Sequence, residues 1–246
     1  MILLLIFVPY QIEAGSMQIV DRNKNVFKDG VEIRSTDLFL KAESGVEMEN
    51  YLVLEGSVYL QSKEFHLTTN KLKFHVPSEI LYAMGKVRIV REDTIIITGN
   101  SGKFSRSLME IKGNPTFISP SMTVNSDVIK YSIKDSSFLF LSNVNFKGSE
   151  VSGKGGSLLH SIKSNKSTIS ESPYIFQETD SITGDKIEID HSGGVLEVYK
   201  GTSINHTEDG RNVVSGDTLR IFYSENLMDS VIVMNNANGR FAKKEP

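Results

Sequence analysis

Between residues 178 and 190 the sequence ETDSITGDKIEID carries Glu178, Asp180, Asp185, Glu188 and Asp190. Two carboxylates flanking a sugar linkage would perform acid–base hydrolysis, and several converging on one point would hold calcium. The pattern favours neither, because Glu188 stands between Ile187 and Ile189 and the acids read as the wet face of a strand. The five histidines, His66, His75, His160, His191 and His206, show no HxH or HxxxH spacing that would present two imidazoles to one metal, so they are expected in turns or facing solvent. The GKGG stretch at 153–156 has the glycines of a phosphate cradle without the Lys-Ser/Thr ending or a following helix, and is expected to be a tight turn. Serines are abundant, yet no G-x-S-x-G elbow occurs. No nucleophile with a base emerges. The expectation is a protein that is not an enzyme, with no catalytic residues, no metal and no cofactor.

What positions these residues is a chain of 246 residues, 39% hydrophobic and 23% charged, ample for a sizeable core. Lys and Arg total 27 against 30 Asp and Glu, and the formal net charge of -3 gives no basic field for phosphates, so nucleic acid is not an expected partner. Zero cysteines exclude disulfides, thiolate zinc sites and a lipid-modified N-terminal cysteine. The first residues, MILLLIFVPYQIEAGS, hold an apolar run from Ile2 to Val8, then Pro9, then Ala14 at a spacing that suits signal cleavage. Residues 1–16 therefore read as a secretory signal without its usual basic start, and the mature protein is expected in the periplasm. A short buried strand is the alternative reading of that run.

The chain repeats. Gly56, Gly85, Gly113, Asn143, Glu171 and Gly201 recur at intervals of 29, 28, 30, 28 and 30, each opening a run rich in apolar residues. A second marker begins with Asn or Asp: NKLKF at 70–74, NSGKF at 100–104, DVIKY at 127–131, DKIEI at 185–189 and DTLRI at 217–221, with a degenerate copy, KGGSLL, at 154–159. Self-similarity at such a period marks a unit that buries its apolar face only by stacking on copies of itself. Val, Ile, Phe, Tyr and Thr alternate at period two, the turns use Gly, Asn, Asp and Ser, and no sustained 3.6-residue stripe appears. The fold is expected to be all-β with no significant helix beyond the signal. With no linker dividing it, residues 17–241 are read as a single domain, followed by a polar tail at 242–246.

The tiles EGSVYLQSKEFHLTTNKLKF (55–74), YAMGKVRIVREDTIIITGNSGKF (82–104) and TGDKIEIDHSGGVLEVYKG (183–201) resemble the LptA/OstA family of periplasmic lipopolysaccharide-transport proteins, related to LptC and the N-terminal domain of LptD. The resemblance implies an elongated antiparallel β-jellyroll, a V-shaped trough with an apolar interior and no catalytic residues. It further implies lipopolysaccharide as ligand, through its lipid A acyl chains. LptC-like and LptD-like jellyroll domains would be partners by strand addition at the exposed edges, and a head-to-tail homo-oligomer would form by the same route.

Taken from the alternation, the inward residues are Val58, Leu60, Leu72, Phe74, Val87, Ile89, Ile95, Ile97, Phe104, Ile111, Phe117, Val124, Ile129, Tyr131, Leu139, Leu141, Ile187 and Ile189. In a trough these line a lipid groove; in a closed sandwich they are core. The terminal strand edges are expected to accept another chain unless residues 17–50 and the tail NGRFAKKEP cap them. The competing reading is an extracytoplasmic β-solenoid scaffold, or a carbohydrate-binding or adhesive protein, without lipid transport. An outer-membrane barrel is disfavoured by the absence of Trp and by apolar runs of only four or five residues.

Overall fold

The computed structural model describes residues 11–21, 24–36, 38–148, 151–177, 180–207, 210–224 and 227–243. Most of the expected signal run, residues 1–10, lies outside the described residues, whereas residues 11–16 are already strand, paired to the next. Among the described residues the protein is all-β and antiparallel, with no helix. The chain forms two compact units, residues 1–120 with 128–134, and residues 121–127 with 135–246.

Unit 1 holds β1 (Gln11–Asp21), β2 (Lys24–Arg34), β3 (Leu38–Ala42), β4 (Ser44–Met48), β5 (Tyr51–Ser62), β6 (Phe65–His75), β7 (Ile80–Arg91), β8 (Ile95–Phe104), β9 (Leu108–Lys112), β10 (Thr116–Ile118) and, from further along the chain, β12 (Val128–Ser132). Unit 2 holds β11 (Met122–Asn125), β13 (Ser137–Gly148), β14 (Ser152–Ser161), β15 (Lys166–Ser170), β16 (Tyr174–Gln177), β17 (Asp180–Thr183), β18 (Lys186–Asp190), β19 (Val195–Thr207), β20 (Gly210–Ser224), β21 (Leu227–Met234) and β22 (Asn238–Lys243). The last of these takes in the first two residues of the expected tail.

Each long strand crosses two layers. In β5, Tyr51–Glu55 pairs with β4 and Tyr59–Ser62 with β3, and the register with β6 shifts between Glu55 and Val58. The same shift occurs in β7 between Met84 and Val87, and in β13 between Leu141 and Val144. At each break two successive residues take positive φ: Gly56 and Ser57, Gly85 and Lys86, Gly113 and Asn114, Ser142 and Asn143, Glu171 and Ser172. The 29-residue repeat is thus a repeat of corners, each folding the chain from one sheet layer to the other. Its polar stand-ins, Asn143 (φ 52°) and Glu171 (φ 62°), occupy the same left-handed conformation as the glycines. The marker runs one residue late at two corners, where Ser142 (φ 61°) turns ahead of Asn143 and Lys200 (φ 46°) ahead of Gly201.

The Asn/Asp marker sits on the neighbouring strand under the corner. A Cβ on Gly85 would lie 2.8 Å from Asn70 Nδ2, and one on Gly113 would lie 2.6 Å from Asn100 Cβ. Glycine is therefore demanded twice at Gly85, by φ of 77° and by the side chain beneath it. Where the corner is not glycine, the two side chains bond: Asn143 Nδ2 donates to Asp127 Oδ2 at 2.8 Å, and Lys200 Nζ pairs with Asp185 Oδ2 at 3.1 Å. The degenerate copy is an exchange of partners, with glycine at Gly156 on the marker strand and the side chain at Glu171 on the corner; a Cβ on Gly156 would fall 2.5 Å from Glu171 Cβ. GKGG accordingly lies inside β14 rather than in a tight turn.

The corners also set which residues face inward. Leu54, Ala83, Ile111, Phe140, Ile169 and Val198 each precede a corner by two and are buried, none more than 1% exposed. Of the eighteen residues read as inward, fifteen are buried, from Leu72, Ile111, Val124, Ile129 and Ile187 at 0% to Tyr131 at 9%. Ile95 begins β8 and is half-buried. Leu139 and Leu141 are a correction: β13 places Phe138 and Phe140 inside, at 2% and 0% exposure, and turns the two leucines to the other face. A one-residue slip inverts every side chain of a strand, and here both alternating sets are apolar.

Candidate apolar binding site

Between its two layers, unit 1 is filled by side chains. Val58, Leu60, Val87 and Ile89 from one layer, and Phe104, Ile111 and Ile129 from the other, are exposed by 4% or less. A cavity in this interior lies beside the hairpin turns at 49–50 and 76–79. It holds about 220 Å³ and is walled by Ile33, Leu38 and Leu40 of one layer and by Met48, Leu52, Leu72, Phe74, Val76 and Leu81 of the other. Ser35, Glu47, Glu49 and Tyr51 complete its lining. Ser35 Oγ is buried with no hydrogen-bond partner among the described residues, a state that buried hydroxyls seldom adopt. Arg91 Nη1 donates to Tyr131 Oη at 3.0 Å, tying β7 of one layer to β12 of the other.

Of the sequence-derived groove residues, Leu72 and Phe74 line this cavity. Ile33, Leu38, Leu40, Met48, Leu52, Val76 and Leu81 were not among them. The alternation of Leu38, Leu40 and Ala42 is a usable signal, and it lies ahead of the tiles from which the inward set is taken.

Unit 2 has a cavity of similar size, about 220 Å³, of different character. Met122 and Phe146 face Leu158, Ile189 and Leu196, and the lining also includes Asn165, Ser167, Asp190, His191 and Tyr223. Ile189 is the only member of the sequence-derived set there. His160 on β14 and Ser167 on β15 are direct cross-strand partners. Ser167 Oγ lies 3.0 Å from His160 Nδ1 and 2.8 Å from His191 Nε2. The rings of His160 and His191 stand edge to face with centroids 5.7 Å apart. His191 is exposed in the turn after β18, as turn or solvent-facing histidines are expected to be, whereas His160 is half-buried within β14, and Ser167 of β15 brings the two together.

Burial, followed by the neighbouring His191, pulls the His160 pKa down from 6.5 to about 4. The unfolded chain therefore binds more protons between those values, and stability is fully present above about pH 6.5 and lost as pH falls toward 4. After discount for the part of the ring still in water, the loss attributable to His160 should be roughly 1–2 kcal/mol. Urea midpoints at pH 7.5 and 4.5 should show this difference shrinking in His160→Gln; an unchanged difference would contradict it. Burial also raises the Tyr223 pKa, with a further push from Asp180, and keeps that phenol neutral.

The carboxylates that drew attention in the sequence have structural partners, apart from Glu178, which lies outside the described residues. Asp180 accepts from Asn205 Nδ2 at 2.8 Å and from the His206 amide, and Glu188 pairs with Lys186 at 2.8 Å. Asp190 pairs with Lys166 at 3.1 Å and accepts from the amides of Ser192 and Gly193, contacts that hold its carboxyl below the usual range. Among the described residues no group of three or more His, Asp or Glu is placed to hold a metal ion.

No family model matches the chain. No curated protein matches it. Among solved structures it is similar to the crystal structure of LptH, the LptA homologous periplasmic component of the conserved lipopolysaccharide transport device from Pseudomonas aeruginosa. The two are 12% identical, with a TM-score of 0.37, over 39% of this chain and 76% of that one. Among the described residues no helix is long and apolar enough to cross a membrane.

Proposed function

We propose that the protein is a periplasmic carrier that holds acyl chains between the two sheet layers, and that those chains belong to lipopolysaccharide on its way to the outer membrane. The observation that carries this reading is the unit 1 cavity, where nine apolar side chains surround one hydroxyl with no partner among the described residues, beside the hairpin turns. An acyl chain entering there would gain about 0.8 kcal/mol per buried methylene, and Ser35 could donate to its ester carbonyl. At about 220 Å³ the cavity is smaller than ligand pockets of ~300–1,000 Å³, so uptake requires the layers to separate beside these turns.

The strand edges support the expected partners. Among the described pairings β1 bonds only β2, and β21 and β22 bond only β20. Met17, Ile19 and Val20 on β1 are 56%, 70% and 51% exposed, and Phe241 on β22 is 55% exposed. Such edges suit strand addition by LptC-like and LptD-like domains or by a second copy of this chain. The near-zero exposure of the interior favours a second reading, a closed β scaffold that takes no lipid.

Native mass spectrometry of the purified chain with lipopolysaccharide separates the two. The carrier reading expects a one-to-one complex whose yield falls about tenfold, the effect of ~1.4 kcal/mol, when Leu38→Trp fills the cavity. A chain that takes up no lipopolysaccharide, or takes it up equally well in the folded variant, would leave the scaffold.

A further inference from the structure

The unit 2 cavity is built for a different end of a ligand than the unit 1 cavity. Its polar residues come from one layer, with Ser167 buried beneath an interior otherwise made of Ile, Leu, Phe and Val and with the exposed His191 and Asn165 at the mouth. Ser167 is 2% exposed, and its single hydroxyl proton can be donated to only one of the two imidazole nitrogens that converge on it. The trio is therefore a short chain of hydrogen bonds that ends at the exposed His191 and can take up a proton if an anion arrives. The facing wall carries Met122, Phe146 and Val151, with Ser121 beside them.

The geometry points to the unit 2 cavity as the site for the acid head of a single-chain alkyl carboxylate, held by His191 and Ser167. This rests on the reading of the protein as an acyl-chain carrier and adds a second, head-selective site to it. At about 30 Å³ per water, 220 Å³ is the space of roughly seven waters, enough for a carboxylate and its first few methylenes. The rest of the tail leaves past Met122. The incoming carboxylate, the His191 ring and one proton from solvent make an imidazolium–carboxylate pair, while Ser167 turns its O–H to the second carboxylate oxygen. The charged and titratable groups around the pair are His160 on β14, Lys166 on β15, Asp190 on β18 and Tyr223 on β20, with Lys166 already committed to Asp190.

Calorimetric titration of the full chain at pH 7 with decanoate and with decanol, in buffers of different ionisation heat, tests the assignment. Decanoate binding should take up about one proton per molecule, and decanol binding none. His191→Gln should weaken decanoate at least tenfold, abolish the proton uptake and weaken decanol far less. Ser167→Ala should weaken decanoate more than decanol, which keeps the test decisive if the first variant folds poorly. Decanoate binding without proton uptake, or equal weakening of both probes, would overturn the head-group site while the carrier reading stood. Binding of neither probe would overturn both, whereas His191-dependent decanoate binding without lipopolysaccharide uptake would sink only the transport reading.

Discussion

Replacing Gly156 with asparagine should destabilise unit 2 by about 2–3 kcal/mol, and adding Glu171→Gly should return most of that loss. Asparagine is what two other corners carry at this place, Asn70 and Asn100, yet here its Cβ would fall 2.5 Å from Glu171 Cβ. Glu171 has φ of 62°, where an L-residue is strained by ~1–2 kcal/mol, so glycine at 171 removes both the overlap and the strain. The pair Gly156→Asn with Glu171→Gly recreates the arrangement of Asn70 under Gly85. Urea unfolding of the four proteins should give a coupling energy of about 1–3 kcal/mol in favour of the double variant. Additive effects would mean that the corners are not compensated pairs.

The second large effect is expected within β13. Phe140 is fully buried, and Phe140→Ala should destabilise unit 2 by about 3–5 kcal/mol, whereas Leu141→Ala, on the opposite face and beside the corner, should change stability by less than about 1 kcal/mol. Thermal and urea midpoints of the two variants decide it. Equal losses, or the larger loss at Leu141, would restore the register that alternation alone suggests.

These two cases show what the sequence could and could not carry. The all-β class, the repeat and the inward set of β5 to β8 were legible because Val58, Leu60, Val87 and Ile89 alternate with polar neighbours. In β13 the run Phe138-Leu139-Phe140-Leu141 is apolar on both parities, so periodicity has no preference. The corner was a better ruler than the alternation. Each inward residue that precedes a corner does so by two, which selects Phe140 once the corner is placed at Ser142 rather than at the repeat's Asn143. The exchange of Gly156 and Glu171 was invisible for the same reason that it works, since it conserves a contact rather than a residue. The cavities were less legible still. The His160, Ser167 and His191 cluster depends on three strands lying side by side in register, and no spacing along the chain reports that.

The account's central claim is that the space between the layers opens to hold an acyl chain. The most direct measurement places a photoreactive residue at Ile89, at Met48 on the cavity rim, or at Arg88, which follows the exposed face of β7, and probes each adduct in living cells for lipopolysaccharide. The carrier predicts adducts at Met48 and Ile89 and none at Arg88. Folded protein that crosslinks lipid at none of the three, or at Arg88 as readily as at Ile89, would contradict it.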